Sequence, residues 1–252
     1  MSGKYDLESF LEKRSNRGDY KKCILNFLKN ISYSIRLARF TLANKPSSEF
    51  LKTFIRLYVI SLVSCLETFY RDLFRYLLDN PKIEFQARKI SPLKLNELLD
   101  AGLEHNDVKA EAPSLQNIES ITQTLDPYFS PTGYLASISQ GLICMIPSKS
   151  NSLVQFNFQE NWHEDFKNLF IFRHRFVHDA NSPSDLTVKK IQNLETLALL
   201  LPQLTMWKLD KEKPRLVVSG DNKSSFPVLL LVDDIASDDW EVKEDGSSES
   251  NQ

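Results

Sequence analysis

The sequence predicts an all-α fold, and three observations lead to that prediction. Apolar residues recur every three or four positions through several long segments, as they do along the buried face of a helix. The 252 residues include only 7 glycines, too few for a fold that depends on glycine-rich turns and phosphate-binding loops. Clusters of proline, serine and asparagine separate the apolar segments and mark where helices begin and end.

Two long helices are predicted early in the chain, after a short one over 4–17. The first begins after Asp19, which can cap it, and continues to about Asn44. The second begins at Ser47 or Ser48 and continues to the proline that follows Asn80. The second is apolar on more than one face, so we expect it to be the central helix of the bundle.

The stretch 82–161 is less regular and predicts a helical insertion between two pairs of helices. Short helices are expected over 92–100, 112–125 and 131–145, because each follows a proline or serine start signal. Proline, serine and asparagine residues over 147–152 predict a loop.

Two further long helices are predicted after the insertion. Apolar residues at helical spacing indicate a helix over 162–178, and a polar stretch over 179–185 interrupts it. A strongly apolar helix follows over 186–208, and Pro202 is expected to kink it or shift its end.

The end of the chain has a different pattern. Two apolar runs over 215–218 and 227–232, joined by a polar turn, predict a small C-terminal β-hairpin. The predicted organisation is therefore a helical domain over 1–210, a hairpin appendage over 211–235 and a disordered acidic tail over 236–252.

Charge is unevenly distributed along the chain. The net charge is −2, but the last 20 residues hold eight acids and one base, a charge of −7 that leaves +5 on the remainder. A mildly basic body is compatible with a polyanionic partner, and an acidic end equally serves solubility.

The cysteines and the hydropathy of the chain indicate where in the cell the protein is expected to be. The cysteines Cys23, Cys65 and Cys144 are far apart, odd in number and outside any CxxC spacing, so neither a disulfide framework nor a zinc site is expected. The first residues lack the apolar core of a signal peptide, and the longest apolar stretch, 57–66, is too short to span a bilayer. We expect a cytoplasmic protein with no membrane partner.

Chemically useful residues cluster in one segment. Arg173, His174, Arg175 and His178 bring two imidazoles and two guanidiniums within six residues. Imidazole exchanges protons near neutral pH, and guanidinium binds phosphate oxygens through paired donors. Such groups can cleave a phosphodiester without a metal, so we expect no metal and no cofactor.

Helical geometry sets conditions on this cluster. His174 and His178 lie four residues apart and therefore on one face. Arg173 and His178 lie five apart, roughly 140° around an ideal helix. Either the arginine bends round the helix or the helix unwinds near Asp179, and the sequence leaves both open. Glu67 lies within the most apolar part of its helix and needs a partner.

These residues resemble a known signature. Arg173, four intervening residues and His178 resemble the Arg-x4-6-His motif of the HEPN superfamily, in which a polar residue such as His174 follows the arginine. The run Ser64-Cys65-Leu66-Glu67-Thr68-Phe69 resembles the earlier family helix that carries an acid in an apolar setting. The resemblance covers about 19–208, with 82–161 poorly matched, and does not extend past 214.

The resemblance implies a bundle of two helical hairpins and a function. Several family members are metal-independent endoribonucleases that act as homodimers in phage defence or toxin–antitoxin pairs, with an antitoxin or defence protein as partner. It implies that His178 assists attack of the RNA 2′-hydroxyl, leaving a cyclic phosphate. Arg173 would stabilise the anionic phosphorus, His174 would assist, and Glu67 would orient Arg173.

Plainer interpretations stay open. His178 can serve the free carbonyls at a helix C-terminus, Arg175 can pair with Asp179, and Glu67 can bond a neighbouring helix. Other family members have lost activity and bind nucleotides or proteins. The irregular 82–161 stretch and the appended hairpin favour that alternative, a non-catalytic interaction module.

Overall fold

The computed structural model is mainly α-helical, with one small antiparallel sheet. It describes residues 20–79, 100, 115–129, 131–149, 151–179, 186–209 and 228–237. The elements in chain order are α1 (Tyr20–Ala43), α2 (Ser48–Asp79), α3 (Ile118–Leu125), a 3-10 turn (Asp126–Phe129), α4 (Tyr134–Ser139), β1 (Leu142–Ile146), a second 3-10 turn (Pro147–Lys149), β2 (Ser152–Phe156), α5 (Trp162–His178), α6 (Val188–Leu209) and α7 (Val232–Ala236).

Helices α1 and α2 form an antiparallel hairpin. The Ser47 hydroxyl accepts a hydrogen bond from the Phe50 N–H at 3.4 Å, which satisfies an amide in the first turn of α2. The Ser34 and Ser61 hydroxyls meet at 2.7 Å across the hairpin. Both helices begin and end within two residues of their predicted limits.

Helix α2 is the centre of the bundle, as its sequence predicts. It packs against α1, α5 and α6, and apolar side chains along its length are buried. The buried members include Ile55, Val59, Leu62, Val63, Leu66, Phe69 and Leu73. Most of its circumference is therefore covered, which leaves little room for an ionised side chain without a partner.

Helices α5 and α6 confirm the second predicted pair. Thr187 caps α6 through its hydroxyl, which accepts from the Lys190 N–H at 3.2 Å. The Lys190 ammonium pairs with the Asp165 carboxylate of α5. Pro202 lies inside α6, and the helix continues past it to Leu209.

The insertion is tied to the bundle by a chain of hydroxyl groups. The Tyr70 and Tyr134 hydroxyls lie 2.8 Å apart, and the Tyr134 hydroxyl lies 3.0 Å from Oγ1 of Thr205. The Thr205 hydroxyl donates to the Leu201 carbonyl at 2.7 Å. Each of these three buried hydroxyls thus has a partner, and the chain of hydrogen bonds joins α2, α4 and α6.

A second buried polar cluster joins α1, α2 and α6. The Glu195 carboxylate, 1% exposed, accepts hydrogen bonds from the Tyr58 hydroxyl and the Arg39 guanidinium. Burial raises the pKa of Glu195 above its usual value, although Tyr58 and Arg39 lower it in part. Burial, and secondarily the charge of Glu195, raise the pKa of Tyr58, so its hydroxyl remains a donor.

The prediction of a helix over 131–145 is wrong in its second half. The helix ends at Ser139, and Leu142–Ile146 instead pairs antiparallel with Ser152–Phe156. In β1 the side chains of Cys144 and Ile146 are buried while Ile143 is exposed. Pairing with β2, the next strand along the chain, decides this conformation, because a short apolar run by itself fits a helix or a strand equally well.

The predicted C-terminal β-hairpin is absent from the residues that the structure describes. Val228 forms an isolated parallel bridge to Met145, and the Leu229 N–H donates to the Met145 carbonyl at 2.9 Å. Helix α7 then begins at Val232, inside the predicted strand. The edge of β1 takes the place of the expected hairpin partner, whose predicted position at 215–218 lies outside the described residues.

Gln203 of α6 fastens this C-terminal segment to the bundle. Its side chain is fully buried, donates to the Leu199 and Leu230 carbonyls at 3.0 Å each, and accepts from the Leu230 N–H at 2.9 Å. One side-chain amide thereby satisfies both backbone polar groups of the buried Leu230, as a neighbouring strand would.

We expect Gln203→Met to loosen residues 228–237. The thioether keeps the volume but leaves the Leu230 amide and carbonyl buried without partners, at a cost of about 2 kcal/mol in unfolding free energy. Hydrogen exchange should accelerate at Leu230. Gln192→Met, at an exposed position of the same helix, is the matched control. Unchanged exchange at Leu230 would contradict the anchoring role.

Other predicted features lie outside the described residues. These are the short helix over 4–17, most of the helix over 92–100 and the acidic tail from 238. No helix in the described ranges combines the length and the apolar character that crossing a membrane requires. Cys23, Cys65 and Cys144 take part in no disulfide bond.

Candidate functional site

Helix α5 carries the arginine–histidine segment and remains helical through His178. Its buried face, Trp162, Phe166, Leu169 and Phe170, packs into the core and orients the helix. The Asp179 N–H closes the last turn by donating to the Arg175 carbonyl at 2.9 Å. Of the two geometries that the sequence leaves open, unwinding before His178 does not occur.

Glu67 of α2 and Arg173 of α5 form an ion pair. The Arg173 Nη2 lies 3.5 Å from the Glu67 Oε2, and the two side chains are 20% and 12% exposed. Among the described residues, Oε1 of Glu67 and Nε of Arg173 are buried without hydrogen bonds. The arginine is thus held at a helix–helix seam with part of its hydrogen-bonding capacity unused.

The electrostatics of Glu67 reflect competition between burial and charge. Burial raises the pKa of its carboxyl above the usual 4.5, and the guanidiniums of Arg173 and Arg71 lower it in part. The effect of burial is the larger one. Ionising the Glu67 carboxyl is therefore less favourable in the folded protein than in water, and the two arginines offset only part of this free-energy cost.

We expect this cost to appear as a pH dependence of stability. A folded pKa above the unfolded value means that the folded state binds the proton more tightly, so the contribution of Glu67 to stability falls as pH rises from about 4.5 through the folded pKa. We therefore expect the unfolding free energy of Glu67→Gln, relative to that of the wild type, to increase as the pH rises through that interval. A difference that moves the other way would mean that Arg173 outweighs burial.

His174 and His178 form an imidazole pair on the exposed side of α5. Their ring centroids lie 4.5 Å apart with planes inclined by 53°. Both residues are exposed, so either imidazole can reach a solute. Such a pair can accept and return a proton at neighbouring positions.

The structure brings Glu67 to Arg173 and His174 to His178, but leaves the two pairs separate. No hydrogen bond or ion pair within the described ranges joins Arg173 to either imidazole. Arg173 points towards α2, and His178 projects from the same helix roughly 140° away. Within one protomer, a phosphate would have to bridge the two pairs.

Arg175 has a different environment from the pairing with Asp179 that its spacing suggests. Its guanidinium carbon lies 5.6 Å from the centroid of the Phe172 ring and 6.0 Å from that of Phe176. The carbon of Arg56, from α2, lies 6.0 Å from the same Phe176 ring. Two guanidiniums therefore converge on one buried ring, on the side of α5 opposite the imidazole pair.

Sequence reasoning missed Arg56. A signal was present: Arg56 precedes Glu67 by 11 residues, which is three helical turns, so both project from the same face of α2. Phe172 and Phe176 are four residues apart and can form a platform for an arginine between them.

In the described part of the chain, no three histidine, cysteine, aspartate or glutamate residues come together as a set of metal ligands. The chain matches no family model, and no curated protein or solved structure is significantly similar to it.

Proposed function

We propose that the protein is a metal-independent endoribonuclease of the HEPN type, working as a homodimer in a phage-defence or toxin–antitoxin setting. The observation that carries the proposal is the Arg173 guanidinium, fixed by Glu67 at the seam between α2 and α5, one residue from an exposed imidazole pair. The ion pair supports the orienting role that the proposal gives to Glu67, and the exposure of His174 and His178 supports their access to a substrate.

The proposed reaction is an internal phosphoryl transfer. His178 acts as the general base or the general acid, and His174 assists it. The base takes the proton from the ribose 2′-hydroxyl, and the 2′ oxygen then attacks the adjacent phosphorus. The bond to the 5′ oxygen breaks, and that oxygen receives a proton from an imidazolium. Cyclic 2′,3′-phosphate and 5′-hydroxyl ends result, with no change in oxidation state.

In the proposed reaction, the role of Arg173 is electrostatic. Negative charge accumulates on the oxygens around phosphorus in the transition state, and a positioned guanidinium stabilises it. Glu67 does not touch RNA; it is a positioning residue that limits the orientations Arg173 can take.

A homodimer fits the surface of α5. Ile171 and Val177, each about half exposed, flank the imidazole pair. Apolar side chains beside an exposed polar site favour contact with a second molecule. In a dimer through this face, the arginine of one protomer and the imidazoles of the other could approach one phosphate, which would bridge the separation found within one chain.

The deciding experiment is incubation of purified protein with mixed cellular RNA in the presence of EDTA. Cleavage that persists in EDTA and leaves cyclic phosphate ends is the expected result. If EDTA abolished cleavage, the metal-independent mechanism would be wrong. Intact RNA in every sample would favour the second candidate function.

That second candidate is a non-catalytic interaction module. An exposed apolar surface on the α1–α2 hairpin, the hairpin patch, favours it: Tyr33, Leu37, Phe40, Phe50 and Leu57 are each more than half exposed. Five large apolar side chains on one hairpin form a patch of the kind that partner proteins cover. An antitoxin or defence-system protein is the partner we propose for it.

The two candidates are distinguished by surface variants. If the protein is only a binding module, Leu37→Glu with Phe40→Glu should abolish its association with a partner while His178→Ala leaves that association intact. If it is a nuclease, His178→Ala should abolish RNA cleavage while the patch variants retain it.

A further inference from the structure

His174 and His178 lie one helical turn apart on the exposed side of α5, at a separation suited to chelation of a cation. Their ring centroids are 4.5 Å apart, and both residues are exposed. A transition-metal cation binds an imidazole nitrogen at about 2.0–2.1 Å, which places the ring centre roughly 3.2 Å from the cation. Two such rings, at an angle of about 90–109° at the cation, have centres about 4.5–5.2 Å apart. The observed separation lies at the short end of this range, so small rotations of the side chains bring one nitrogen of each ring to a common cation.

The two neighbouring arginines are directed away from the imidazole pair. The Arg173 guanidinium pairs with Glu67 of α2, and the Arg175 guanidinium lies over the rings of Phe172 and Phe176. A cation bound by the imidazoles therefore faces neither guanidinium directly, and the water around the exposed rings weakens the repulsion that remains.

The ligand set selects the class of cation. Imidazole nitrogen favours Zn²⁺, Cu²⁺ and Ni²⁺, whereas Mg²⁺ and Ca²⁺ prefer oxygen ligands. Among the described residues, no third histidine, cysteine or acidic side chain completes a set of metal ligands. Structural zinc sites have four protein ligands, so two imidazoles with the other positions open to water form a site that binds its cation reversibly.

We propose that His174 and His178 together bind one cation of the Zn²⁺ class per chain, and that the bound cation inhibits RNA cleavage. The binding rests on the geometry of the pair, and the inhibition rests on the proposed function. In a neutral imidazole one nitrogen carries hydrogen and the other accepts either a proton or a cation, so a coordinated His178 serves neither as a base nor as an acid. The cation competes for the imidazoles and takes no part in the reaction.

The first test measures cation binding and needs no RNA. Zn²⁺ is titrated by isothermal calorimetry into the purified protein without a polyhistidine tag. The wild type and His163→Ala, which removes an exposed histidine from the first turn of α5, are expected to bind one cation per chain with equal affinity. His174→Ala and His178→Ala should each lose at least about tenfold in affinity, because one imidazole alone forms no chelate. Equal affinity in all four proteins would overturn the site.

The second test changes the spacing of the histidines and keeps their number. In His174→Ala with Val177→His, the two histidines are adjacent in sequence and roughly 100° apart around the helix. Val177 is about half exposed, so this exchange should leave the core undisturbed. We expect the double variant to bind Zn²⁺ as weakly as His174→Ala. Wild-type affinity in the double variant would contradict chelation by residues one turn apart.

The third test measures the effect of the cation on cleavage. Saturating Zn²⁺, added to metal-free wild type after EDTA is removed, is expected to lower the cleavage rate about 10²–10⁴-fold, to that of His178→Ala. The residual cleavage by His174→Ala, which keeps His178, should be insensitive to the same concentration. Mg²⁺ should leave wild-type cleavage unchanged, because it binds imidazole poorly. Stimulation by Zn²⁺, or equal inhibition of His174→Ala, would show that the pair does not mediate inhibition.

The two proposals fail in distinguishable ways. If Zn²⁺ binding depends on both histidines but the metal-free wild type leaves RNA intact, the nuclease and its inhibition are wrong and the cation site stands. If the metal-free wild type cleaves RNA but no binding depends on the histidines, the cation site is wrong and the nuclease stands. Melting temperatures measured without Zn²⁺ show that each variant is folded, and the single variants at His174 and His178 give two independent measurements of the same site.

Discussion

Replacing His178 with alanine is expected to lower the rate of RNA cleavage by about 10²–10⁴-fold, the range for removal of a general acid or base. The exposed imidazole has no structural contact to lose beyond that with His174, so stability should hardly change. The measurement is the single-turnover rate of appearance of cyclic phosphate ends, in EDTA, beside the melting temperature of each variant.

Arg173→Ala is expected to have an effect of similar size, about 10²–10³-fold, because it removes the positioned charge that stabilises the transition state. Its loss should appear mainly in kcat. Glu67→Gln retains a hydrogen-bonding partner for Arg173 and should cost much less than Glu67→Ala. A smaller loss of kcat in Glu67→Gln than in Glu67→Ala is expected if Glu67 positions Arg173. If Glu67 had only a structural role, the two variants would change stability without changing kcat.

His163→Ala is the control for these variants. His163 is an exposed histidine in the first turn of the same helix, in edge contact with the Trp162 ring at 6.3 Å between centroids. Its removal should leave cleavage unchanged. If His163→Ala and His178→Ala lowered cleavage equally, general loss of positive charge or folding would explain both, and the assignment of His178 would fail.

Replacing Glu195 with alanine is expected to reduce the unfolding free energy by about 3 kcal/mol, a large part of the stability of a domain. The carboxylate is nearly inaccessible to water, and its removal leaves the Tyr58 hydroxyl and one face of Arg39 without their partner. Arg39 is 33% exposed and can turn to water, so we expect the lower end of the range for a broken buried pair.

Urea unfolding followed by circular dichroism measures this effect. Thr196→Ala, at the exposed neighbouring position of α6, is the control and should change stability by less than about 0.5 kcal/mol. The double variant Glu195→Leu with Arg39→Met replaces the pair with apolar groups and should recover most of the loss, because burying an ion pair gains little over packing hydrocarbon. A loss in the double variant as great as in Glu195→Ala would contradict this explanation.

The sequence alone determined the four long helices. Their apolar residues repeat at the helical period over many turns, and polar or proline-rich breaks such as the one at Ser47 mark their ends, so local information suffices. It also singled out Glu67, because a carboxylate among apolar side chains needs a partner, and the arginine–histidine segment, because its residue types share one chemistry. The roles of these residues in catalysis remain predictions.

Tertiary structure decided what depends on residues distant in the chain. Met145 and Val228 form a bridge that no local pattern contains, and a helix begins at Val232, where the predicted C-terminal hairpin required a strand. Arg175 stacks on aromatic rings instead of pairing one turn away with Asp179, and Arg56 joins the same ring from another helix. The physical reason is the same in each case: period and capping are properties of neighbours in sequence, whereas strand pairing, burial and convergence of charge arise only when separate elements pack.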